Sequence, residues 1–136
     1  MQKFVFVMLL GCGTLCTASA QKTPPTAVIS AFNQKFTQVT GLKWGKEKNG
    51  EWEAEFDQKG MEMSANFTAD GKWVETETEI QFTDLPTPVQ AALKGKKVKE
   101  AAKILKADGT TVYEAEVRHK DLVFDANGNL LADFKE

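Results

Sequence analysis

Cysteine is almost missing from this chain, and the two it has, Cys12 and Cys16, both fall in its first twenty residues. That stretch reads as a signal peptide. Lys3 gives a positive start, Phe4 to Leu10 an apolar core, and Ala18-Ser19-Ala20 the small-residue pattern that signal peptidase cuts after. Cleavage near Ala20 leaves Gln21 as the first mature residue and makes the protein periplasmic or secreted. A second reading takes Leu10-Gly11-Cys12 as a lipoprotein box with lipid on Cys12. On the first reading the mature chain has no thiol, no disulfide and no thiolate metal site. Its core alone must hold it together, which about 116 residues can do.

Long apolar runs are also missing. The leader's apolar stretch is shorter than the roughly 20 residues that span a bilayer, so no transmembrane span is expected in the mature chain. An excess of positive charge is missing too: without Lys3 there are 16 basic against 19 acidic residues, a net charge of −3. A nucleic-acid binder would show a basic face, so nucleic acid is excluded as a partner. The run Lys94, Lys96, Lys97 and Lys99 reads as a solvated connector, with contact to anionic headgroups as its sharper alternative.

Catalytic equipment is equally thin. The single histidine, His119, sits in the polar turn Arg118-His119-Lys120-Asp121 and reads as turn surface. Ser30 and Ser64 are the only serines after the leader, and there is no glycine-rich phosphate loop. Asp125-Ala126-Asn127-Gly128-Asn129 resembles the start of a calcium loop but lacks the remaining oxygen ligands and the closing glutamate. Met61 and Met63, two apart, suit a half-buried strand better than a copper site. The pairs Glu53/Glu55 and Glu114/Glu116 would face solvent in similar surroundings, whereas an acid–base pair needs environments that push its two pKa values apart. The expectation is no enzyme, no cofactor, no metal and no catalytic residue.

What the chain does have is an echo at an offset of about 61 residues. Trp52-Glu53-Ala54-Glu55-Phe56 returns as Tyr113-Glu114-Ala115-Glu116-Val117, and Phe67-Thr68-Ala69-Asp70-Gly71 returns 57 residues on as Phe124-Asp125-Ala126-Asn127-Gly128, the second copy lacking four residues between the two echoes. A repeated echo of this kind points to one unit used twice. Each half opens with prolines, Pro24-Pro25 and Pro86-Thr87-Pro88, which suit a first helical turn. Val28, Phe32 and Phe36 then make one helical stripe, with Val89, Ala92 and Leu93 as the counterpart. Alternating segments follow, split by Asn49-Gly50 and Asp108-Gly109, read as tight two-residue hairpin turns. The fold class is α+β: a tandem repeat of one helix plus a four-stranded antiparallel sheet, with the helices on one face of a continuous or near-continuous sheet. Its boundaries are 1–20 for the signal peptide, 21–81 for the first repeat and 82–136 for the second.

Alternation assigns the faces. Trp52, Ala54, Phe56, Met61, Met63, Ala65 and Phe67 should point toward the helices, as should Tyr113, Ala115, Val117, Leu122 and Phe124. If Ala69-Asp70-Gly71 is a three-residue loop, Phe67 faces Trp73 and Phe124 faces Leu130, and Ala132 and Phe134 continue inward. Glu75, Glu77 and Glu79 would then also point inward unless a bulge near Val74 returns Thr76, Thr78 and Ile80 to the core. The outward face carries Glu51, Glu53, Glu55, Glu62, Glu114 and Glu116, with Val112, Val123 and Leu131 as an apolar cluster. Eight strands would present about 700 Å², near the roughly 800 Å² that one partner contributes to a standard interface. The candidate partner-binding residues are Glu53, Glu55, Glu62, Val112, Glu114, Glu116, Val123 and Leu131. The partner is an unknown protein or peptide, a basic one suiting the acidic face, and a homo-oligomer or an envelope structural or stress-response role is the alternative.

One resemblance runs through residues 24–134. Ala31-Phe32, Trp44, the WEAEF segment, Phe67-x-Ala-Asp-Gly-Lys-Trp73 and Asp84-Leu85-Pro86 together resemble the PepSY-like proteins whose fold is like the beta-lactamase inhibitor protein. The resemblance implies a small exported protein with helices on one side of a curved antiparallel sheet and a binding or inhibitory role. It implies the sheet face as contact surface. It transfers no inhibitory residue, because the aromatics here fall in the inward phase and the outward face is acidic.

Overall fold

The computed structural model describes residues 23–135, so the proposed leader, its cleavage site and both cysteines lie outside the described residues. A helix, α1 (Thr26–Lys35), precedes four strands: β1 (Thr40–Lys46), β2 (Trp52–Gln58), β3 (Met61–Phe67) and β4 (Trp73–Ile80). A 3-10 turn at Phe82–Asp84 leads into α2 (Thr87–Ala92) and then β5 (Val98–Lys106), β6 (Thr111–Val117), β7 (Lys120–Phe124) and β8 (Leu130–Lys135). All eight strands lie in one antiparallel sheet in chain order.

That sheet corrects the expectation of a tandem repeat of one helix plus a four-stranded sheet. β4 and β5 pair without a seam from Glu75↔Lys106 to Ile80↔Ala101. The helices are also unequal, with ten residues in α1 and six in α2, so only α1 exceeds two turns. The second helix has Pro88 in its first turn, where the missing N–H costs nothing, but the chain leaves the helix at Leu93 and Gly95 adopts a left-handed φ of 76°. The architecture is one long meander with one full helix and one short one, both on the same face.

The helix side holds two apolar clusters. Val28, Phe32 and Phe36 pack with Trp52, Ala54, Phe56, Ala65 and Phe67. Phe32 is the hub: its ring meets Phe56 at 5.1 Å and Trp44 at 5.3 Å between centroids, both edge-on. Such pairs contribute about 0.5–1.5 kcal/mol beyond the area they bury. Val89 and Leu93 pack with Leu85, Ala101, Ala115, Val117, Leu122 and Phe124 in the second cluster. The inward residues expected from alternation are therefore in place, except that Met63 and Tyr113 are only half-buried and Met61 is exposed at the end of β3.

Two glycines let the helices sit this close. A Cβ at Gly71 would lie 2.6 Å from the Ala27 carbonyl oxygen, and one at Gly128 would lie 2.5 Å from that of Pro88. Each also has positive φ, 87° and 83°, which L side chains rarely adopt. The same turn–helix contact is thus made twice, once under each helix.

Register settles the strand phases. Phe67 pairs with Trp73 and Asn66 with Glu75, so Val74 is the extra residue of a bulge, and Thr76 and Thr78 return to the helix side opposite Ala65 and Met63. The bulge expected near Val74 is there. A second one was not expected: Phe124 pairs with Leu130 but Val123 pairs with Ala132, leaving Leu131 as the extra residue. It turns Ala132 and Phe134 to the open face, opposite Val123 and Asp121. The turns differ too. Asn49-Gly50 and Asp108-Gly109 close through Gly50 N–H to Glu47 C=O and Gly109 N–H to Lys106 C=O, with only the glycine at positive φ. These are three-residue loops, not two-residue mirror-image turns. The mirror-image turns fall at Lys59-Gly60 and Arg118-His119, where both residues have positive φ.

Candidate functional site

Every second side chain of the sheet points away from α1 and α2. Register places Lys43, Glu55, Ser64, Glu77, Ile104 and Val112 in one row across β1 to β6. A neighbouring row holds Gly45, Glu53, Asn66, Glu75 and Lys106. On the other side lie Asp57 opposite Glu62, and then Glu79, Ala102, Glu114, Val123 and Ala132 across β4 to β8. The last row is Glu100, Glu116, Asp121 and Phe134. The expected outward phase of the glutamates is thus what register gives.

Their environment is not the solvated one expected. Glu53, Glu77, Glu114 and Glu116 keep only 9%, 8%, 5% and 6% of their possible exposure. No helix among the described residues covers them. The face is concave, with a recess running across β1 to β4 between Lys43, Glu53, Glu55, Glu62, Ser64 and Glu77. Carboxylates two and three strands apart feel one another across this hollow: the charges of Glu114 on β6 and Asp121 on β7 both act on Glu77 on β4. A flat sheet would hold those strands about 10 and 14 Å apart.

Crowding and burial change the chemistry of the acids. Burial raises the Glu53 carboxyl from 4.5 to about 8, with the charges of Glu47 and Glu55, a hydrogen bond to Glu47, and the charge of Glu75 adding to it. Burial likewise holds Glu77 well above the ordinary carboxylate range, helped by Glu114, Glu53, Glu75 and Asp121. Glu75 is raised by burial and by Glu51, with Lys106 pulling the other way. Burial and Glu62 raise Glu79, and burial raises Glu100 against the pull of Lys99. Glu116 is differently placed: Lys99 Nζ donates to both its oxygens at 2.9 and 3.0 Å.

The apolar part of the expected patch is also altered. Val112 and Val123 pack with Ile104 and Ala132 in a third cluster, separate from the two beneath the helices. They are buried on the open face itself. Leu131 does not join them; it stands exposed at the β8 bulge. Of the candidate residues, Glu53, Glu55 and Glu62 share the recess, Glu114, Glu116, Val112 and Val123 form the neighbouring floor, and Leu131 lies apart at the edge. Sequence reasoning left out Glu77, Glu79 and Ile104. The alternation Glu75, Glu77, Glu79 combined with a bulge at Val74 was the signal for the glutamates.

Other sequence candidates are accounted for locally. Asp125 Oδ1 accepts from the Asn127 and Asn129 backbone N–H groups at 2.9 Å, and its Oδ2 from the Asn129 side chain at 2.8 Å, so its carboxylate ties the hairpin. His119 occupies the exposed left-handed β6–β7 turn. Met63 packs against the first apolar cluster.

A small α+β protein with helices on one face of a meander sheet and a concave acidic other face is the class these features define. The sequence family described as "Putative beta-lactamase-inhibitor-like, PepSY-like" matches residues 47–132, and the chain belongs to it. Solved structures agree on the fold. A "DUF2874 family protein" from Bacteroides ovatus superposes with a TM-score of 0.74 at 22% identity, covering 82% of this chain and 87% of its own. A "BLIP-like protein" from Bacteroides fragilis gives 0.69 at 24%, covering 82% and 86%. A structure from Bacteroides eggerthii, described among "putative periplasmic proteins", gives 0.75 at 18%, covering 82% and 88%. No curated protein matches the sequence. Among the described residues no helix is long and apolar enough to cross a membrane.

Proposed function

We propose that this protein is an exported, non-enzymatic binding module, inhibitor-like in mode, that holds a protein or peptide partner on the concave face of its sheet. The observation that carries the reading is the burial of charge there. Carboxylates are rarely withdrawn from water unless paired, yet Glu53 and Glu77 are withdrawn on a face that no helix among the described residues covers. Keeping them costs stability, and a partner bringing positive charge would recover that cost. The apolar floor of Ile104, Val112 and Val123 beside the acids suits an interface whose centre is apolar and whose surround is charged. The likeness of the fold to the BLIP-like protein from Bacteroides fragilis is in keeping with a contact surface of this kind.

The test is cross-linking capture from the native envelope with Glu55→Lys/Glu62→Lys. Both positions are only half-buried, so the fold should tolerate the change. Capture of the partner seen with the parent protein should fall sharply while circular dichroism stays the same. Unchanged capture moves the contact surface to the helices or the sheet edges.

A second reading, self-association, is favored by one observation: the edge strand β8 exposes Leu130, Leu131 and Phe134. An edge strand with exposed apolar residues is a template for pairing with another copy. Sedimentation of the mature protein decides it, and a monomer at all concentrations would remove it.

A further inference from the structure

The recess on the open face has features that its acidity alone does not explain. Its volume of about 90 Å³ is several times the roughly 10–15 Å³ that one water needs. Lys43 is its one lining cation, against Glu53, Glu55, Glu62, Glu77 and others. At its centre Glu77 is more than nine-tenths buried, and among the described residues its carboxylate accepts no hydrogen bond and has no ion pair. The groups facing it are Ser64 and Glu62 on β3, Glu53 and Glu55 on β2, Lys43 on β1, Glu75 and Glu79 on its own strand, Ile104 and Lys106 on β5, Glu114 on β6 and Asp121 on β7. Seven of these are acids and two, Lys43 and Lys106, are lysines. A carboxylate without a protein donor, its oxygens open to a recess wide enough for an organic head group, can accept from a donor that enters.

The donor that fits is a guanidinium. It is planar, always charged, more weakly hydrated than an ammonium, and presents several N–H groups in a fork that matches carboxylates two at a time. No three or more acidic or histidine side chains among the described residues converge as a metal cage would require. We propose that the recess between β1 and β4 is a receptor for one arginine side chain of a polypeptide partner, with Glu77 at its base and Glu55 and Glu62 at its rim. This rests on the reading of the open face as the contact surface and names the chemistry it recognises. Entry of the cation favours the ionised acids around it, so binding expels protons and strengthens as pH rises toward the Glu53 value of about 8.

The test is an NMR titration of isotope-labelled protein with the blocked peptide Gly-Gly-Arg-Gly-Gly, the same peptide carrying citrulline, and calcium chloride alone. The arginine peptide should give saturable shifts at the amides of Glu55, Ser64 and Glu77. Citrulline, equal in shape but neutral, should bind about tenfold more weakly or less, as expected for loss of a charged hydrogen bond. Glu77→Gln should weaken the arginine peptide about tenfold with the spectrum otherwise unchanged, and Asp70→Asn, at the distant β3–β4 turn, should not. Equal response to arginine and citrulline, no saturable response, or a response to calcium alone would each overturn the proposal. If arginine fails while capture of the native partner still falls with Glu55→Lys/Glu62→Lys, the receptor is wrong and the open-face reading stands. Capture that ignores those variants overturns the open-face reading and the receptor with it.

Discussion

The two faces of this sheet are written with the same two-residue period and end up with opposite physics. On the helix side, Trp52, Ala54, Phe56, Ala65 and Phe67 are buried against α1, where removal from water stabilises by about 1.5–3 kcal/mol for each large side chain. On the other side, Glu53, one step along β2, and Glu77 on β4 are nearly as buried, and there burial costs stability because charge is withdrawn from water. Burial by itself therefore says nothing about whether a residue holds the fold. What matters is whether the group withdrawn is apolar, paired or charged and alone.

The comparison breaks first on the helix side. Phe32→Ala should destabilise by about 3–5 kcal/mol, because the ring touches Phe36, Trp44, Phe56 and Phe67 at once. Chemical denaturation should show this as a lower midpoint with unchanged slope. Gly71→Ala and Gly128→Ala should each cost about 2 kcal/mol or more, since both strain the backbone and drive a methyl into a helix carbonyl.

On the acidic side the sign reverses. A carboxyl raised in the folded protein binds its proton more tightly there than in the unfolded chain, so stability falls as pH rises through the window between the two values. For Glu53 that window runs from 4.5 to about 8. Thermal melts should therefore be highest near pH 5 and decline toward pH 8, a loss on the order of 2–4 kcal/mol from Glu53, with Glu77 acting in the same direction. Glu77→Gln keeps the shape and removes the charge, so it should stabilise by about 1–2 kcal/mol at pH 8 and flatten that decline. The smallest effect belongs to Leu131→Lys, within about 0.5 kcal/mol of the parent, although it should abolish any association through β8.

Much of the helix-side face was legible in the chain. Strict alternation in Trp52-Glu53-Ala54-Glu55-Phe56 sets its phase, and three glutamates in the wrong phase after Trp73 are enough to demand the bulge at Val74. The bulge at Leu131 was hidden because Ala132 and Phe134 look acceptable in either phase. A pattern without conflict carries no warning. The loops at Asn49-Gly50 and Asp108-Gly109 have residues that suit two turn types, and the hydrogen bonds to Glu47 and Lys106 decide between them. A helix was expected at the start of each half from the prolines, and the second stops at Ala92, with Gly95 in the left-handed region just beyond. Least legible was the burial of the acids. Periodicity assigns a side to Glu53, Glu77 and Glu114; it carries no information on how far the sheet bends around them.

The most direct measurement is a carboxyl-carbon NMR titration of Glu53 and Glu77 in the mature protein. A concave face that shields its acids gives a Glu53 midpoint near 8 and a Glu77 midpoint well above 4.5. Midpoints for both near the ordinary 4.5 would mean that water reaches the acids freely, and would contradict the account.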